Sequence, residues 1–363
     1  MTKRRFTRRS VNDLLKVGVI TGAGGHCGGV WGEKLNPTAD NIRTTGMVMT
    51  QVWSIHADWS KQFAEKFDGV EVVDDPRDMI GEIDGFFLDD ITAISLYPIL
   101  VRPFLEAGIP TLVNRPFATS MAKGRQMVEM AEAHGAAITT FSTWEFCEAA
   151  ADVRAKVAEM PAINGYVGHN SMSDFYTHGI HGAWFSHAVL RDEMARGRGR
   201  LTGAAYHSPN WRVPGGLIVY EHENGDRPPY YGALNEPAGA DGQAYIRVFG
   251  DHSGDAEGKI PGRPGYFMYN TWNAGQLALQ EMFETGVPIQ PHDELITKLE
   301  MFLLPFYSVL EKGGNMARPE ELGSWELPRP SEELMLDRHP TDSAFRDLYT
   351  DAELEAVEKL FEG

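Results

Sequence analysis

The 363-residue chain carries 51 acidic against 33 basic side chains, a formal net charge of -18, and a field of that sign repels phosphate backbones and anionic lipid surfaces, which argues against nucleic acid and membranes as partners. Its length exceeds what one hydrophobic core supports and its hydrophobic content of 42% suffices for two, so two domains are expected. The two cysteines, Cys27 and Cys147, form no CxxC pair, imply neither a disulfide framework nor a cysteine metal site, and fit a reducing compartment.

The opening Lys3-Arg4-Arg5 with Arg8-Arg9 reads as a solvated basic arm over residues 1–15. It has the look of a twin-arginine leader. The apolar run behind it, Val17-Gly18-Val19-Ile20, is too short for a signal core and leads into glycines, so it reads as a first strand and the protein as cytoplasmic. No segment approaches the roughly 20 uninterrupted apolar residues of a membrane span.

From Lys16 short apolar runs alternate with helical patterns. Strands are predicted at Val17–Ile20, Met47–Trp53, Gly69–Val73, Gly85–Leu88, Thr111–Val113 and Ala137–Phe141, with amphipathic helices such as Trp59–Phe67 and Met121–His134 between them. This is the βαβ rhythm of an α/β fold, a doubly wound parallel sheet of Rossmann type over residues 16–145. The first strand enters Thr21-Gly22-Ala23-Gly24-Gly25-His26-Cys27, where glycines let backbone N–H groups approach a pyrophosphate. With Gly22 and Gly24 as the first two glycines of GxGxxG, Cys27 stands at the third. Gly22, Gly24, Gly25, His26 and Cys27 are the candidate phosphate contacts. Where NAD sites hold a ribose-binding acid after the second strand, this chain has Ser54. Loss of the carboxylate removes its repulsion of a 2′-phosphate and leans toward NADP over NAD, with His56 or Lys61 as the nearby positive charge.

The segment from Tyr97 closes on Val113-Asn114-Arg115-Pro116-Phe117-Ala118, followed by a helix and Ala136-Ala137-Ile138. It resembles the glucose-fructose oxidoreductase, inositol dehydrogenase and MocA (Gfo/Idh/MocA) family, in which a helix and a strand lead to Glu-Lys-Pro. A second family landmark, Asp-x-Gly-x-His, resembles Thr177-His178-Gly179-Ile180-His181 here, and the fold rhythm extends the resemblance over roughly residues 16–320. The resemblance implies an NAD- or NADP-dependent oxidoreductase that moves hydride between the nicotinamide and a hydroxyl-bearing carbon of a sugar, sugar acid or cyclitol, working as a homodimer or homotetramer.

Departures from the family pattern fall on the chemistry. Arg115 stands where the family's lysine lies near the nicotinamide and the reacting hydroxyl, Thr177 replaces the Asp, and Trp184 stands where an acid usually follows the His. Arginine keeps its proton at biological pH, so Arg115 reads as an oxygen clamp rather than a base, with Asn114 and Thr177 as hydrogen-bonding neighbours. His181 is then the proton carrier. A helix over Asp174–Leu190 puts Asp174, Thr177 or His178, and His181 on one face, so that Asp174 orients His181 or His178 serves as a second acid or base. His178, His181 and His187 lack an HExxH pattern or clustered acid, and no metal site is expected.

The second half mixes a helix, Cys147–Glu159, with strands at Asn164–His169, Gly203–Tyr206, Leu217–Tyr220 and Tyr245–Phe249. It reads as an α+β substrate and oligomerisation domain with a large open mixed sheet over residues 146–328. Otherwise Tyr220–Tyr269 reads as long loops. Trp144, Trp184, Trp211, Tyr230, Tyr231 and Trp272 are candidates to stack on a sugar ring, of which about two are expected to touch ligand. Glu294–Leu310 is an apolar helix, and the tail over 329–363 carries one amphipathic helix, Asp351–Phe361, expected to clasp the body or a partner subunit. The competing reading is a non-redox lyase or hydrolase, or a ligand-binding protein, on the same scaffold with altered or lost cofactor use; Ser54, Cys27 and Arg115 favour it.

Overall fold

Two six-stranded sheets organise the described residues. The computed structural model describes residues 13–22, 25–37, 43–170, 176, 179–207, 215–223, 225, 227–235, 244–251, 254–260, 272–329 and 349–362. The first sheet holds β1 (Leu15–Thr21), β2 (Met47–Trp53), β3 (Glu71–Val72), β4 (Gly85–Asp89), β5 (Thr111–Val113) and β6 (Ile138–Thr139). Its order is β3-β2-β1-β4-β5-β6 and every pair is parallel. Helices α1 (Val30–Leu35), α2 (Ala57–Lys66), α3 (Tyr97–Glu106) and α4 (Met121–His134) connect these strands, and helical cover on both faces is why β4 and β5 are buried at every position. The order reverses between β1 and β4, so a crevice opens at the carboxyl ends of those strands.

The second sheet runs β12-β11-β7-β10-β9-β8, from β7 (Ile163–Asn170), β8 (Arg200–His207), β9 (Gly215–Glu221), β10 (Tyr230–Asn235), β11 (Ala244–Gly250) and β12 (Asp255–Ile260). Only β7 and β10 pair in parallel. Helices α5 (Glu148–Ala158), α6 (Ile180–Ala195) and α8 (His292–Lys312) pack on one face, while α7 (Asn273–Thr285) reaches back to β1. The other face carries exposed Val167, Leu217 and Tyr231. A last helix, α9 (Asp351–Glu362), lies against α3 and the turn after β4, so the tail helix clasps the body as its amphipathic pattern implied.

One expectation is corrected. The stretch read as loops between Tyr220 and Tyr269 contains β10 and β12. In β10 a glycine hid the strand: a Cβ on Gly232 would stand 2.0 Å from the Tyr166 ring, so close packing demands glycine there. The edge strand β12, Asp-Ala-Glu-Gly-Lys-Ile, turns only small or isolated apolar residues inward, Ala256 and Ile260, and so lacks a hydrophobic run. Of the helix expected over Asp174–Leu190, Tyr176 and Gly179 are helical and α6 follows from Ile180 with His181 in its first turn, while Asp174 lies outside the described residues.

Candidate active site

The two residues after β5 begin the site. Asn114 donates from Nδ2 to Asp89 Oδ1 (2.7 Å) at the end of β4, and its Oδ1 accepts from the Arg115 backbone N–H (2.8 Å) and from Nη1 (3.3 Å). This turns the buried Arg115 side chain toward α6, where its Nε donates to His181 Nε2 at 3.1 Å. Ser142, just past β6, meets the other ring nitrogen: its Oγ lies 2.7 Å from His181 Nδ1. Because arginine can only donate, His181 Nε2 is the acceptor, which assigns the ring proton to Nδ1 and makes Ser142 Oγ its acceptor. The Trp144 ring packs 5.3 Å from the His181 ring. Asp89, Asn114, Arg115, His181 and Ser142 thus form one polar chain.

Beneath Ser142 is a buried ion pair. The Ser142 N–H donates to Glu145 Oε1 (2.6 Å), and Lys298 of α8 grips both Glu145 oxygens at 2.8 and 3.0 Å while also donating to the Thr140 carbonyl (2.9 Å). Its ammonium lies 4.3 Å from the Trp184 ring centre. Burial pushes Glu145 up and Lys298 down from their ordinary pKa values, and each opposes the other's shift by its charge. The sequence reading missed Ser142, Glu145 and Lys298. One signal was present: Ser142-Thr143-Trp144-Glu145 is a capping-box pattern, and that box is formed.

Arg115, His181 and Asn114 open onto a narrow pocket of about 20 Å³ walled by Trp31, Phe87, Phe141 and Trp272. Trp31 packs against the other three rings at 5.3 to 6.0 Å. A wider cavity, about 220 Å³, lies elsewhere, between the end of α6 and the turn after β9. Of the stacking candidates Trp144 and Trp272 border the site. Trp184 is buried under Lys298, Tyr230 stacks on Tyr220 at 5.0 Å, and Tyr231 is exposed on the open sheet. Trp211, Asp174, Thr177, His178 and Gly24 lie outside the described residues, as does the His26 side chain. His187 pairs with Glu294 at 3.3 Å, and among the described residues no three His, Cys, Asp or Glu side chains gather as metal ligands.

The framework suits a dinucleotide, with a glycine turn at the switch point, but the chain's own side chains fill the groove. A Cβ on Gly22 would stand 2.2 Å from the Asp90 carboxyl, and one on Gly25 2.6 Å from the Asp89 carbonyl oxygen. Asp89 Oδ2 accepts from the Cys27 backbone N–H at 2.6 Å, so a carboxylate takes a donor that a pyrophosphate needs. Burial, then the Asp89 charge, pushes the Cys27 thiol well up. Ser54 is buried. His56 is bound to Glu353 at 2.8 Å and the exposed Lys61 to Asp58 at 3.4 Å, so the lean toward NADP finds no support in either.

The sheet order, the crevice at its reversal and the second mixed sheet define a Rossmann-type sheet joined to a second, mixed sheet. Residues 15–141 match the model of the Gfo/Idh/MocA oxidoreductase family with an NAD-binding Rossmann fold. The whole fold is similar to that of a probable dehydrogenase from Thermotoga maritima, at 14% identity and TM-score 0.65 over 85% of this chain and 100% of that one. It is similar also to the myo-inositol dehydrogenase of Lactobacillus casei, solved with NAD(H) and myo-inositol, at 13% identity and TM-score 0.68 over 84% of this chain and 96% of that one. GenD2 from gentamicin A biosynthesis, solved with NAD, matches at 14% identity and TM-score 0.65 over 88% and 99%. At such identities the likeness is one of fold. No curated protein matches the chain by sequence. No helix among the described residues is long and apolar enough to cross a membrane.

Proposed function

We propose that this chain is a cytoplasmic NAD(P)-dependent oxidoreductase acting on a CH–OH group of a sugar, sugar acid or cyclitol, with His181 moving the hydroxyl proton. The observation that carries the reading is the Arg115–His181–Ser142 constellation at the crevice of a Rossmann sheet; the sugar-like ligand of the similar L. casei structure supports the substrate class. The Gly22 to Cys27 turn and Asn114 would hold NAD or NADP, which would supply the hydride acceptor or donor.

The rest follows from this chain's own groups. His181 Nε2 has its lone pair toward Arg115, so a substrate hydroxyl entering between them takes over that lone pair and passes its proton there, while the guanidinium turns to the substrate oxygen and holds the negative charge that develops. Ser142, accepting from Nδ1, keeps the ring in the tautomer that leaves Nε2 basic. Trp144 and Trp272 offer apolar faces to the ring carbons. Asp174, Thr177 and His178 remain candidates to complete the set. The domains are read as 16–145 for the dinucleotide and 146–328 for substrate and assembly.

The test is a titration of the full chain with NADH and NADPH by nicotinamide fluorescence, followed by assay of cyclitols, aldoses and sugar acids with the oxidised cofactors. His181→Asn is expected to remove turnover, by about 100-fold or more, with nearly unchanged dinucleotide affinity. A variant that keeps most of its kcat overturns the assignment. The filled groove favours one second reading, a non-redox lyase or hydrolase on the same site, which turns substrate over with no dinucleotide added.

A further inference from the structure

The crevice at the carboxyl ends of β2 and β4 is where the adenosine half of a dinucleotide lies in a sheet of this order, with the ribose beside the residues that follow β2. Here it holds part of the chain's own tail. Tyr349 reaches across it: its hydroxyl donates to Asp90 Oδ2 at 2.5 Å on the β4 side, and its ring meets His56 edge-on at 5.0 Å and Trp59 at 5.8 Å on the β2 side. A single aromatic ring thus bridges the two walls and is hydrogen-bonded at its rim.

The segment is anchored as a unit. Thr350 and Glu353 form a reciprocal cap at the start of α9, the Thr350 N–H donating to Glu353 Oε2 at 2.7 Å and the Glu353 N–H to Thr350 Oγ1 at 3.3 Å. The other Glu353 oxygen takes His56 Nε2 at 2.8 Å, so one carboxylate both caps the helix and ties it to the loop where a ribose would lie. Leu354, Val357 and Phe361, spaced to share one helical face, are all buried, with Phe361 packed edge-on against Trp53 at the end of β2. Arg329 binds Asp351 and the Tyr349 carbonyl. On the groove floor, buried Asp90 is held by Tyr349 and by Thr92 (2.7 Å).

We propose that residues 349–362 are an intramolecular plug of the adenosine pocket, which competes with NAD(P)(H) and must leave before the dinucleotide can bind. The inference rests on the reading that this groove takes a dinucleotide. Apparent affinity is then lowered by the fraction of molecules whose groove is open, and a plug held by this many contacts weakens it at least tenfold. The carboxylates of Asp89 and Asp90 bias the groove further against a pyrophosphate while the tail is seated.

The experiment compares the full-length protein, Tyr349→Phe and Leu354→Asp/Val357→Asp. NADH and NADPH affinity is followed by fluorescence, and hydrogen exchange of residues 349–362 by mass spectrometry. Tyr349→Phe removes only the bond to Asp90 and keeps the ring, so it is a variant expected to fold. The expected result is at least tenfold tighter binding of one cofactor by the double variant, a smaller gain for Tyr349→Phe, and faster exchange of 349–362 when that cofactor is added to the unaltered protein. Equal affinity in all three proteins overturns the plug and leaves the oxidoreductase reading standing. Absence of binding to a double variant whose tail exchanges freely overturns the plug as a competitor and the cofactor reading together.

Discussion

Arg115 is the residue on which the proposed oxygen clamp rests, and its contacts say what it can do. Its side chain donates to His181 and Asn114 from separate nitrogens, a fork that lysine reproduces only in charge. Arg115→Lys is therefore expected to retain about a tenth of kcat/KM while Arg115→Met falls about 100-fold or more; equal losses in steady-state assays count against an oxygen clamp. Arg115 and His181 were legible because each sits in a local motif. Ser142 and Lys298 were not. Their partners lie 39 and 153 positions away, and nothing in a local pattern marks which distant side chain a buried hydroxyl or ammonium will meet. Ser54 was placed correctly after β2, yet what covers it comes from the last residues of the chain.

Among the elements, α8 carries the most consequential polar group on an otherwise apolar helix. Lys298 is fully buried against Glu145, and removing one partner of such a pair leaves an uncompensated charge, so Lys298→Met is expected to destabilise the fold by about 3–5 kcal/mol in thermal or urea unfolding. The same helix holds Glu300, whose pKa burial raises from 4.5 to about 7 against the opposing charges of Arg125 and Arg200. An acid with a raised native pKa binds more protons folded than unfolded between those two values. Its favourable contribution is thus present below about pH 4.5 and is lost as pH rises through 7. Glu300→Gln is expected to raise the Tm at pH 8, by a stability gain on the order of 1–3 kcal/mol, and to change it little at pH 4.5. Strands β1, β2, β4 and β5 were readable as apolar runs because a covered parallel sheet buries both faces. The runs that failed, β10 and β12, belong to a sheet with one solvent-facing side, where packing demanded Gly232 and an edge position tolerated charge.

At the scale of the whole molecule, the open face of the second sheet gathers Val167, Leu217 and Tyr231, all exposed on adjacent strands. Contiguous apolar surface of this kind marks an association site, and a homodimer or homotetramer through it is the expected assembly. Tyr231→Arg should then lower the mass measured by light scattering without altering the far-UV spectrum, and an unchanged mass argues for assembly elsewhere or none. The two-sheet plan was legible from the alternation of patterns along the chain; the return of the tail to the first sheet was legible only as an amphipathic helix in want of a surface. Cys27 turns that return into something countable. Its thiol is sealed at the glycine turn and burial keeps it in the unreactive protonated form, as burial also does for Cys147 at the start of α5. The chain thus carries two silent sulfurs, one at the groove and one at the start of α5, and the ratio of their alkylation rates is a built-in clock for how often the groove opens relative to the rest of the protein.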